Sequence, residues 1–114
     1  MNPGKLIHVI ETLCRNLSIK NDEFTNLADT RAEAEKEYKM SVRKQILLHK
    51  EEGYAATLIP KLVEGHKQVA ELKFKMDVAE ALVKANIESC RSLVNQIDAA
   101  RSLLSWLKSE KEKG

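Results

Sequence analysis

From Val69 onward the chain repeats apolar residues at alternating steps of three and four. The series runs Val69, Leu72, Met76, Ala79, Val83, Asn86, Cys90, Leu93, Ile97, Ala100, Leu104 and Leu107. Eleven of these twelve positions are apolar or thiol, and neither Gly nor Pro interrupts them. Steps of three and four fall on one face of a helix with 3.6 residues per turn. A seam held for more than five heptads demands a second helix to cover it. Gly65 and Gly114 bracket the run.

The first half carries a weaker version of the same rhythm through Leu6, Ile10, Leu13, Leu17, Lys20, Phe24, Leu27, Arg31, Ala34, Tyr38, Ser41, Gln45 and Leu48. Nine of the thirteen are apolar or aromatic. The phase passes straight through SIKND, which favours one helix over about residues 4–52. A break near Asn21 is the alternative, since Asn and Asp are common caps. Pro3 at the start and Gly53 after the end suit helix termini.

Between the arms lies EEGYAATLIPKLVEGHK, which holds two of the four glycines and one of the two prolines. Gly53 is available for a left-handed helix cap, and Thr57 can cap a short turn with Pro60 in its first turn. Two arms of equal length joined at the midpoint predict an all-α fold. It is a long antiparallel, coiled-coil-like helical hairpin with a structured turn over about 53–65 and a second helix over about 66–112. The whole is read as one domain over 1–114, assembling into a helical bundle. Aligning Leu48 with Val69 also sets Tyr38 opposite Ala79, Phe24 opposite Leu93, Leu17 opposite Ala100 and Leu13 opposite Leu104. That register sets Arg31 opposite Asn86, pairing the two most awkward seam residues. The plainer alternative is that Arg31 reaches water past its neighbours.

Leu82, Ile87, Val94 and Leu103 lie off the main seam, so a two-helix hairpin leaves apolar surface exposed and a homodimer or higher oligomer is expected. In the turn, Leu58, Ile59, Leu62 and Val63 plug the open end of the seam or form a docking surface. The docking reading selects Tyr54, Leu58, Ile59, Pro60 and Leu62.

Aromatic residues make up 4% of the chain and charged residues 32%, a composition of long helices more than of a mixed fold. No apolar run is long enough to span a bilayer and no signal-peptide pattern is present, so no membrane partner is expected. Cys14 and Cys90 lack close spacing, which fits two ordinary buried thiols in a reducing compartment. His8, His49 and His66 form no metal-ligand spacing, and no cofactor is expected. Neither a Gly-rich phosphate loop nor a nucleophile or zincin motif occurs, so the chain reads as a non-enzyme.

Net charge is only +2, but residues 36–75 hold nine Lys/Arg against five Asp/Glu. Lys36, Arg43, Lys44, Lys50, Lys61 and Lys67 are the candidate nucleic-acid contacts if this basic end meets phosphates. Solvated helix surface is the plain alternative, because aromatics for base stacking are nearly absent.

The stretch RAEAEKEYKMSVRKQILLHKEEGYAATLIPKLVEGHKQVAELK resembles small helical proteins of Gram-positive phages and prophages. The likeness lies in Arg31-Ala32-Glu33-Ala34-Glu35, Tyr38-Lys39, the Gly53 turn, Thr57-Leu58-Ile59-Pro60 and Val69-Ala70-Glu71-Leu72, and extends less distinctly to Leu103-Leu104-Ser105-Trp106-Leu107. It covers about residues 24–108. It implies the cytoplasm of a bacterial host, near replication and recombination functions, and carries no binding residues over. The expected function is a non-enzymatic, oligomeric interaction protein docking on a phage or host protein. The alternative is a nucleic-acid-binding accessory to phage recombination.

Overall fold

A computed structural model describes residues 2–113. It contains three helices in chain order: α1 (Pro3–Glu51), α2 (Ile59–Glu64) and α3 (Lys67–Lys113). No strand occurs among the described residues. The fold is an all-α antiparallel hairpin of two long helices, of 49 and 47 residues. The bracketing role expected of Gly114 lies outside the described residues.

At the start of α1, the Asn2 side chain accepts a 2.6 Å hydrogen bond from the Gly4 N–H, and the Leu6 N–H reaches the Asn2 carbonyl. Asn2 is thus the cap and Pro3 the first helical residue, where its missing N–H costs nothing. The helix continues unbroken through Asn21. With no β-branched cluster or glycine there, local propensity and a continuous apolar seam outweigh the capping tendency of Asn and Asp.

The C-terminus of α1 is closed at Gly53, whose φ of 85° lies in the left-handed region. The Gly53 N–H bonds the Lys50 carbonyl at 3.1 Å and the Tyr54 N–H bonds the His49 carbonyl at 3.2 Å. These two bonds form a Schellman cap. A Cβ at Gly53 would meet nothing within 4 Å, so alanine there is penalised by its backbone alone. Gly53→Ala is expected to cost about 1 kcal/mol in urea unfolding. Gly65, at φ −82°, should accept alanine at no comparable cost.

The chain divides into two packing units, Met1–Thr25 with Lys84–Gly114, and Asn26–Val83. In the first unit, Leu6, Ile97 and Ala100 are buried and Ile10, Leu13, Leu17, Leu93, Leu104 and Leu107 half-buried. Asn86, only 4% exposed, donates from Nδ2 to the Lys20 carbonyl at 3.0 Å. The Cys90 thiol is half-buried, 3.6 Å from Asn21 Oδ1 and 3.7 Å from Asn86 Oδ1, whereas Cys14 is exposed, so the expectation of two buried thiols fails at Cys14, one place beyond the seam residue Leu13. In the second unit, Ala34, Val69, Ala79 and Val83 are buried, and Lys75 Nζ meets Glu37 Oε2 at 3.2 Å across the two long helices.

All twelve seam positions of α3 are buried or half-buried. On α1 the seam holds except at Phe24, Arg31 and Leu48, which are exposed. The alignment expected from sequence is not the one adopted. Asn86 takes the Lys20 carbonyl, not Arg31, and Glu37 rather than residue 42 meets Lys75. The helices are offset by about one heptad from the expected register. The cause is α2. Ile59, Val63 and Val69 form one cluster against which Tyr38, Val42 and Ile46 pack, so α2 takes up the end of α1 and Leu48, expected opposite Val69, is left exposed.

Thr57 does not cap α2. The position before the helix is Leu58, with no side-chain cap, and the Leu58 N–H closes a turn onto the Ala55 carbonyl. Pro60 does fall in the first turn.

Candidate functional site at the α2 cap

The second unit carries the turn, and the turn separates into two faces. A short helix places residues four apart on one side. Ile59 and Val63, each 4% exposed, face inward and join Val69 in a small core covered by Tyr38, Val42 and Ile46. Leu58 and Leu62, together with Tyr54, are exposed. The two alternatives for this segment are therefore divided between its faces: Ile59 and Val63 plug the seam, while Leu58 and Leu62 are free to meet a partner.

Six residues of helix are too few to fill the wedge between the long helices. The space left is a groove of about 440 Å³. Tyr38, Val42, Ile46, Ile59, Pro60, Val63 and Val69 line it, with Lys50, Lys73 and Glu64 also in its wall. That volume and lining are those of a site for an apolar group fixed by a few charges. Ile59 belongs to its floor. Pro60 is exposed and lines it, and Tyr54 is exposed beside His49, their rings 5.5 Å apart. The His49 ring is itself held: its Nδ1 lies 2.6 Å from the Gln45 carbonyl.

The basic residues fall on the same unit with unequal freedom. Lys36 pairs with Glu33 at 3.3 Å, and Lys39 with Glu35 at 2.9 Å. The hydrogen bond and charge of Lys39 hold the Glu35 carboxyl below its ordinary value. Among the described residues Arg43, Lys44, Lys50, Lys61 and Lys67 make no ion pair. Arg43 and Lys44 instead flank Met40, Leu47 and Leu48, all exposed. Residues 38–50 contain no acid, so the α1 surface next to the cap is both cationic and apolar.

Reactive groups are sparse. No group of three or more His, Cys, Asp or Glu able to hold a metal occurs among the described residues. The one buried side-chain nitrogen or oxygen without a partner among them is His66 Nδ1, at the junction of α2 and α3. Among the described residues no helix is long and apolar enough to cross a membrane. Sequence reasoning missed Val42 and Ile46 as lining residues, because a strict 3.5-residue seam runs through Ser41, Gln45 and Leu48 instead. A straight helix drifts about 20° per heptad from that seam, and near its end α1 presents the neighbouring stripe. No family model matches the sequence, and comparison with curated proteins and with solved structures likewise finds no match.

Proposed function

We propose that the chain is a non-enzymatic helical interaction protein that docks on a partner protein through its α2 cap. The observation that carries this reading is the separation of faces in the turn. Ile59 and Val63 anchor the cap to the core, which leaves Leu58, Leu62 and Tyr54 presented beside an apolar groove. Unpaired Lys50 and Lys61 next to that surface favour a partner segment that combines apolar side chains with carboxylates. The phage resemblance supports bacterial cytoplasm, and replication or recombination proteins, as the setting.

The test is affinity purification from infected cells, with nuclease, comparing the wild type with Leu58→Ser/Leu62→Ser. Both positions are exposed, so helicity should be unchanged by circular dichroism. A nuclease-resistant protein recovered by the wild type and lost by the double variant is the expected result. Retention of that protein by the variant would sink the proposal. Ile59 is unsuitable for the test, because a polar residue there would undo the core.

The five unpaired cations favour a second reading, a nucleic-acid accessory protein using Arg43, Lys44, Lys50, Lys61 and Lys67, with Lys36 committed to Glu33. It calls for gel shifts that weaken steeply as salt rises. Absence of any complex with single- or double-stranded DNA at low salt eliminates it.

A further inference from the structure

Within the second packing unit, α1 turns a mixed cationic and apolar face outward. Met40, Arg43, Lys44, Leu47 and Leu48 recur at i, i+3, i+4, i+7 and i+8, which sets them on one side of the helix. They line one depression together, and all five are exposed, Met40 by 63% and Leu47 by 50%. We infer that this face rests on the surface of an anionic phospholipid bilayer. Its apolar side chains enter the boundary of the acyl chains, and its cations lie at the phosphates.

Charge fixes the sign of the occupant. Residues 38–50 contain Lys39, Arg43, Lys44 and Lys50 and no acid. Elsewhere on the long helices, cations are met by carboxylates three or four residues away: Lys20 by Glu23, Lys36 by Glu33, Lys73 by Asp77 and Arg91 by Glu88. Among the described residues Arg43, Lys44 and Lys50 make no such pair. Of the two acids that bound the run, Glu37 is taken by Lys75. Uncompensated positive charge calls for an anionic counterpart.

The apolar residues decide which anion. Nucleic acid would meet the cations and leave Met40, Leu47 and Leu48 in water, and none of the five offers an aromatic ring for base stacking. A bilayer interface uses both kinds of side chain at once. Apolar groups enter it, while Lys and Arg extend their stems alongside and place their charges among the headgroups. Arg43 and Lys44 stand between Met40 and Leu47 along the stripe, the interleaving that such a contact uses. The surface also continues round α1: Arg43 and Leu47 line a second depression, which shares Val42, Ile46 and Lys50 with the groove beside α2. Contact at headgroup depth takes one helix face and no spanning segment, whose absence was the reason to expect no membrane partner.

Vesicle flotation of the full chain tests the inference. The wild type should float with vesicles of phosphatidylglycerol and phosphatidylcholine, stay behind with pure phosphatidylcholine, and detach as salt rises. Arg43→Gln/Lys44→Gln should weaken partitioning about thirtyfold, since each cation near an anionic surface contributes about fivefold. Met40→Ser/Leu47→Ser should weaken it about tenfold or more. All four positions are exposed, so circular dichroism of both variants should stay helical. Leu58→Ser/Leu62→Ser, altered only at the docking residues of α2, should float like the wild type. No flotation at low salt overturns the inference, whether or not the same face captures DNA or an acidic peptide. Equal binding to neutral vesicles removes the role of charge and also overturns it. Full binding by Met40→Ser/Leu47→Ser would reduce the contact to phosphates alone, with the same consequence. Loss of flotation in Leu58→Ser/Leu62→Ser alone would move the surface to α2 and overturn it too.

Discussion

Val69→Asp should unfold the cap and cost about 4 kcal/mol in denaturant titration, whereas Val69→Ala should cost about 2 kcal/mol. Val69 is 2% exposed and is the one residue of α3 in the small core with Ile59 and Val63. Alanine removes apolar contact and leaves a cavity between α1, α2 and α3. Aspartate puts a charge at a position only 2% exposed among apolar side chains, and Lys50 and Lys73 in the groove wall offset only part of that cost. The two variants separate packing from desolvation. Hydrogen exchange should show the α2 amides losing protection first, because six residues of helix are not stable alone. A fully protected α2 in Val69→Asp would mean that the cap is held by something other than this core.

Asn86→Asp should produce a second large effect, and one that depends on pH. Asn86 Nδ2 donates to the Lys20 carbonyl inside the first packing unit. An ionised carboxylate of the same shape would turn an acceptor toward that carbonyl, at a cost of about 3 kcal/mol. A protonated carboxyl can donate again, so the native state holds the proton more tightly than the unfolded chain does. The folded pKa of the new group is therefore raised above its unfolded value of about 3.9. Near-wild-type stability is present below that unfolded value and is lost as pH rises toward the folded pKa, beyond which the deficit is constant. Urea midpoints of variant and wild type at about pH 4 and about pH 8 measure the difference. A gap that does not change with pH would show that Asn86 does not act as the donor. Asn86→Leu, by contrast, should unfold at nearly the wild-type midpoint and lose only register specificity.

These two residues also mark what was readable in advance. The seam that contains both was legible because a heptad repeat is a local pattern, carried by one residue after another along the same helix. The partner of Asn86 was not legible. Its amide reaches a backbone carbonyl, which every residue possesses, and no side chain in the sequence announces which one. The turn shows the same division. Gly53 could be recognised as a left-handed cap because few other residues tolerate that backbone. Thr57 has the right chemistry for a cap, yet the chain turns one residue later, at Leu58, so that Ile59 and Val63 can reach the core.

The amino-acid order alone determined that this protein is two long helices folded back at the midpoint, with the α3 face from Val69 to Leu107 turned inward. Local periodicity and glycine placement suffice for that, since both act over a few residues. Tertiary packing decided the rest: the offset of the helices, the inward turn of Ile59 and the outward turn of Leu58, and the groove beside Tyr38. Those outcomes depend on how much volume a six-residue helix occupies between its neighbours, a property of three elements together that no one segment encodes.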